Sequence, residues 1–221
     1  MLVPTNQKTL FFFHKKTRLH FLHIPKCGGT YVEASFTPWI QKCETRVLPG
    51  SKGHLTFLEY DRLFAAAGVV RPQTWFTVIR NPWDWHASWF HYIKKDVGGK
   101  ASGMPVEAEL FQKFSFADYL GWLEDPEAPS SPQRYMHKQM RDYLVNEQGE
   151  LVVQHVLRQE NLEEELRGMA AKLDLLLKPV SGRFNASERA KDYRAYYDDR
   201  TAAIVARRHA DDIRLWGYQF E

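Results

Sequence analysis

The sequence predicts an α/β domain with a central, mainly parallel β-sheet flanked by helices. Three observations carry that reading. Short apolar runs, residues 18–24 and "TWFTVI" at 74–79, read as buried strands. Each ends at a turn signal and is followed by a helical pattern. Strands alternating with helices call for parallel pairing with crossover helices.

The elements follow in order. Pro25 stops the first strand, and residues 30–36 read as a helix in which Thr30 and Glu33 have capping-box spacing. Residues 55–67 predict a helix closed by Gly68. After the second strand, Pro82 suits the first turn of a helix running to about Lys95. "DVGGKASGMP" at 96–105 and "EDPEAPSSPQ" at 124–133 read as flexible breaks around a helix at 116–123. Residues 96–133 are therefore expected as an insertion on a single domain, 1–221, that covers an acceptor site. Two strands are expected around the turn 146–149, then helices at 161–173, 188–197 and 201–215.

A chain of 221 residues, 44% hydrophobic and 26% charged, is long enough for one real core. A net charge of +3 without a basic tail gives no reason to expect nucleic acid as partner. Cys27 and Cys43 are too few for a disulfide framework, which favours a reducing compartment. The apolar burst at 10–13 is interrupted by His14, Lys15 and Lys16, so no secretory leader is expected. No apolar run reaches the roughly 20 residues of a membrane span. The expectation is a cytoplasmic protein with no membrane partner.

The stretch "HIPKCGGTY", His23 to Tyr31, holds the most chemistry. A strand, a tight glycine turn and a helix make an anion site: amides at the helix start point at the anion and the helix dipole favours its charge. Gly28 and Gly29 permit close backbone approach, Lys26 adds a charge and Thr30 a hydroxyl. A Walker A loop carries its lysine after the last glycine, whereas Lys26 precedes both. The second strand ends in Arg80, not in an aspartate. A magnesium-dependent NTPase is disfavoured on both grounds. Cys27 at a helix start invites a nucleophile reading, but no histidine and asparagine constellation accompanies it.

"VIRNPWDWHASWFHY" supplies a second anion grip. Arg80 offers a planar fork for phosphate, and Ser88, two helical turns on, a hydroxyl. Two grips suit a nucleotide phosphorylated at both ends. His54, after Gly53 and before a predicted helix, reads by position as a surface or capping histidine, although an ordinary pKa near neutrality would also suit a general base at the rim of a cleft. The nine histidines form no H-x-x-x-H or H-E-x-x-H pattern, so no metal is expected. Trp85 and Trp89, one turn apart, are expected to pack the helix, and Glu160 either to orient a neighbouring strand or loop or to serve as a solvated or capping residue.

"HIPKCGGT" and "VIRNPWDWHASWFHY" together resemble the sulfotransferase superfamily, in the branch of the carbohydrate (heparan and chondroitin type) 2-O-sulfotransferases. "KGHLTF" at 52–57, "RQENLEEEL" at 158–166, "RFNASERAKDYRAYYDD" and "DDIRLWGYQF" extend the resemblance from about residue 20 to the end. It implies a P-loop-like three-layer fold and the donor 3′-phosphoadenosine 5′-phosphosulfate (PAPS). It places Pro25, Lys26, Cys27, Gly28, Gly29, Thr30 and Tyr31 at the 5′-phosphosulfate, and Arg80 and Ser88 at the 3′-phosphate. It makes His54 the base and Lys26 the cation meeting the leaving phosphate, and sets Arg183 in a loop closing over the nucleotide. The implied acceptor is a hydroxyl or an amine of a carbohydrate or small natural product. The rival expectation is a 3′-phosphonucleotide-binding module without turnover. This chain departs from the branch at Trp85 and His86, near which a basic residue is usual, and in 96–133, where acceptor-binding segments are not recognisable.

Overall fold

The computed structural model describes residues 19–40, 54–67, 72–180, 190 and 192–221. Cys43, Gly53, Gly68, Arg183, Asn185, Ser187 and Lys191 lie outside the described residues. The chain groups into two compact units. The first comprises Met1–Ile79 with Arg141–Phe184, the second Arg80–Met140 with Asn185–Glu221.

In the first unit β1 (Leu19–Leu22), β2 (Thr74–Ile79) and β3 (His155–Arg158) form a parallel sheet in the order β1-β2-β3. Leu19 pairs with Thr74 and Leu22 with Thr77, then Phe76 with His155 and Ile79 with Arg158. All of β1 and nearly all of β2 is buried, which is why both read as unbroken apolar runs without alternation. The Thr77 hydroxyl donates to the Leu22 carbonyl at 2.8 Å and locks their upper ends together. The helices of this unit are α1 (Gly29–Ile40), α2 (Phe57–Ala67) and α6 (Leu162–Lys172). Phe21, Val32, Phe36, Phe64 and Phe76 make its core. His20 is enclosed there, edge-on to Tyr60 at 4.8 Å and to Trp75 at 4.5 Å.

The second unit is built on α3 (Pro82–Lys95). Asn81 caps it, its side chain accepting the Trp83 amide, and Pro82 takes the position where a missing N–H costs nothing. Trp83, Trp85, Trp89, Phe90 and Ile93 are buried along it, so both tryptophans one turn apart are packing residues. Around it lie α4 (Pro105–Lys113), α5 (Phe116–Glu124), α7 (Asp199–Arg208) and α8 (Ala210–Trp216).

Several expectations need correction. Residues 96–105 are built rather than loose: the Asp96 carboxylate accepts the amides of Ala101 and Ser102, and Gly98, Gly99 and Gly103 supply left-handed bends. The inserted segment holds a helix that was not expected, α4, with Met104 and Phe111 in the core. Glu107 is buried there against Ser131, whose amide and hydroxyl both donate to its carboxylate. The strand pair around 146–149 reduces to a single bridge, Val145 to Leu151, before β3. The span 201–215 is interrupted at His209, where α7 ends and α8 begins. In 188–197, the described residues include a short 3-10 helix, Tyr193–Tyr196. Among the described residues no helix is long and apolar enough to cross a membrane.

Candidate functional site

The first unit carries the turn. β1 stops at Leu22, and His23 and Ile24 lead to Pro25. Lys26 then adopts φ +65 and Gly28 φ +79, on either side of Cys27. A left-handed lysine is uncommon, and such backbone concentrates at functional sites. Successive amides in bends of this kind converge on a concavity that suits an anion. Gly29 opens α1, so the helix amides begin where the bends end. The helix starts one residue before Thr30, which places Thr30 inside it and exposed, not at the capping position expected for it. Cys27 is 1% exposed and belongs to the core, which removes it from nucleophilic duty. Tyr31 donates its amide to the Gly28 carbonyl at 3.0 Å and closes the turn. A side chain at Gly28 would come within 2.7 Å of Leu162, so both its conformation and its space require glycine.

His54 stands against this turn. Its Nδ1 lies 3.3 Å from the His23 carbonyl oxygen, and its ring meets the His23 ring edge-on at 4.4 Å. The carbonyl can only accept, so His54 donates from Nδ1 and leaves Nε2 as its basic atom. Burial, and secondarily the Lys26 charge, push the His54 imidazole down to about 4 against the raising effect of that hydrogen bond. This corrects the expectation of a base near neutrality: His54 is a neutral imidazole well below physiological pH.

His23 is the residue that sequence reasoning passed over. Its ring stacks on Phe21 at 5.2 Å and lies 3.8 Å, Nδ1 to Oε1, from Glu33. Burial, His54 and Lys26 hold its pKa well below the ordinary histidine value. A Cβ at Gly29 would sit 1.8 Å from His23 Nε2. Gly29 is therefore a glycine to make room for this ring. The signal was present as a histidine one residue past the strand's end, but nothing in the spacing linked it to His54. Glu33, expected as a helix cap, turns to this ring instead. Glu59 forms a capping box with Thr56, accepting its amide and its hydroxyl at 2.7 and 2.8 Å.

The second unit holds Arg80 and Ser88. Both are buried, at 8% exposure each. Arg80 donates from Nε and Nη2 to one oxygen of Asp84, at 2.7 and 2.6 Å. Its backbone amide donates to the sulfur of Met140 at 3.4 Å. Asp84 was not foreseen, although an arginine and an aspartate four residues apart at a helix start is a readable pair. Glu160 is exposed, in the short 3-10 turn before α6. The turn with His54 belongs to the first unit, and Arg80 and Ser88 belong to the second.

Comparisons with protein-family models, with curated proteins and with solved structures returned no match.

Proposed function

We propose that the protein is a PAPS-dependent sulfotransferase acting on a hydroxyl or an amine of a carbohydrate or small natural product. The observation that carries the reading is the turn from Pro25 to Gly29, with left-handed backbone at Lys26 and Gly28, a helix start at Gly29 and a neutral His54 beside it. An anion cradle alone serves binding. A cradle with a tautomerically fixed imidazole and a lysine at one place serves transfer.

In this reading the turn amides and Lys26 hold the 5′-phosphosulfate. His54 Nε2 takes the proton of the acceptor as its oxygen or nitrogen attacks sulfur. The bond from sulfur to the bridging oxygen breaks, and its electron pair stays on the departing phosphate. Lys26 meets that charge, a preplaced cation stabilising what develops in the transition state. A bound dianion also opposes Lys26 electrostatically and raises His54 toward useful basicity. Arg80 and Ser88 take the 3′-phosphate, Asp84 holding the guanidinium fork in place until the anion shares it.

The test is calorimetric titration with adenosine 3′,5′-bisphosphate and with AMP. The bisphosphate binds at least tenfold more tightly if one charge-assisted contact of about 1.5–3 kcal/mol is made to the 3′-phosphate. Equal affinity for the two nucleotides defeats the assignment.

A further inference from the structure

The second unit contains four polar side chains in a row that the proposed chemistry does not use. Tyr119 Oη lies 2.6 Å from His86 Nδ1. His86 Nε2 lies 2.8 Å from His209 Nε2. His209 Nδ1 lies 2.7 Å from Asp212 Oδ2, which also accepts the Met140 amide at 2.8 Å. Tyr119, His86 and Asp212 are 0% exposed and His209 is 1%. So deep a polar chain persists only if every member is satisfied.

The hydrogens follow once both imidazoles are taken as neutral. The Met140 amide can only donate, which makes Asp212 Oδ2 an acceptor. His209 then donates to it from Nδ1. In the neutral ring its Nε2 accepts, so His86 donates from Nε2. His86 Nδ1 accepts in turn, and the Tyr119 hydroxyl donates to it. Burial, with His209, Arg208 and His137 around the ring, keeps His86 neutral, as the assignment requires. The line runs one way, from Tyr119 on α5 through α3 to the start of α8. It also accounts for the break at His209, whose side chain is drawn inward between α7 and α8.

Its far end reaches Arg80. Asp212 fixes Met140 by its amide, and the sulfur of Met140, itself fully buried, accepts the Arg80 amide. Arg80 and Met140 are the first and last residues of one segment of this unit, and Asp212 belongs to the other.

We propose that Tyr119, His86, His209 and Asp212 form a one-way hydrogen-bond line that positions Arg80 through Met140. All four are positioning residues and none touches a ligand. The consequence for nucleotide affinity rests on Arg80 holding a 3′-phosphate, and the positioning itself does not.

The test uses the full chain with nitrogen-labelled histidine and no nucleotide. Long-range proton–nitrogen NMR shows His209 as the Nδ1–H tautomer and His86 as the Nε2–H tautomer. The opposite tautomers, or an equal mixture, overturn the line. Amide hydrogen exchange then reads the positioning. His209→Phe accelerates exchange at Arg80 by about tenfold relative to Phe90 in the middle of α3, the scale of one or two lost buried hydrogen bonds. Should that variant not fold, Tyr119→Phe deletes a single oxygen and accelerates Arg80 by about threefold on the same scale. Asp212→Asn, whose amide oxygen can accept both donors, leaves tautomers and rates unchanged. If Arg80 and Phe90 accelerate together, the chain only stabilises the unit and the positioning role is overturned. In His209→Phe the bisphosphate weakens while AMP does not. A native protein that fails to prefer the bisphosphate sinks the nucleotide reading alone, because the tautomers and exchange rates still judge the line.

Discussion

Gly29→Ala puts two effects in opposition. Gly29 opens α1, where alanine is the better helix former by up to about 1 kcal/mol. The new methyl group, however, would stand 1.8, 2.3 and 2.5 Å from three atoms of the His23 ring. The ring has to leave, giving up its stack on Phe21 and its edge contact with His54. Overpacking of this kind costs about 1–3 kcal/mol, and the two aromatic contacts are worth roughly 0.5–1.5 kcal/mol each. The steric term wins, for a net loss of about 3 kcal/mol once the helix gain is subtracted. Urea unfolding measures it. The control is the same substitution in a His23→Ala background, where the space is vacated: there Gly29→Ala is neutral or stabilising. A loss of equal size in both backgrounds would show that Gly29 is not there for the ring, and the account of this turn would fall with it.

Three further outcomes are expected. Arg80→Ala weakens adenosine 3′,5′-bisphosphate by at least tenfold, on the scale of one charge-assisted bond, and leaves AMP nearly unchanged; calorimetry decides. Acid destabilises the protein between pH 6.5 and 4. His54 titrates near 4 in the folded state and near its ordinary value unfolded, so the unfolded chain takes up the proton first and stability falls as pH falls. The loss from His54 alone is about 2 kcal/mol at pH 5 and about 3 kcal/mol once pH 4 is passed, and the lowered His23 and His86 add to it. Urea midpoints that do not move from pH 7 to pH 5 contradict that burial. On the proposed chemistry turnover survives EDTA, with Lys26 and the turn amides supplying the charge that magnesium gives a phosphoryl-transfer enzyme; activity lost to EDTA and restored by magnesium returns the magnesium-dependent NTPase reading.

The strand–turn–helix frame was readable because its signals are local. β1 and β2 are buried on both faces and so appear as plain apolar runs, and Pro25, Gly28, Asn81 and Pro82 punctuate them. What stayed hidden depends on contacts between distant residues. The 96–105 stretch looks loose by composition, yet Asp96 and three left-handed glycines fold it. α4 carries a buried glutamate that Ser131, 24 residues on, makes tolerable. The break at His209 answers to Asp212 and to His86, 123 residues away. The division into two units, each from two separate segments, has no local signature either. In the candidate site, Lys26 and the glycines could be read from their order. The pairing of His23 with His54 could not, because no helix or strand period relates residues 31 apart.

In the proposed chemistry His54 and Lys26 turn an anion cradle into a transferase. It is tested most directly by labelled PAPS offered with a panel of carbohydrate and small-molecule hydroxyls and amines, with slow hydrolysis of the donor as a proxy. Native protein, His54→Ala and Lys26→Ala are compared across pH. The native protein is expected to release the bisphosphate, with an acid limb near pH 4 in the free enzyme, where His54 titrates. His54→Ala binds the bisphosphate normally and turns over roughly 10² to 10⁴ times more slowly without that limb, the usual share of a positioned base. Lys26→Ala loses binding and turnover together, since its charge meets the donor in both ground and transition states. A native protein that binds the bisphosphate but never consumes the donor, or a His54→Ala variant with native turnover and an unchanged pH profile, contradicts it.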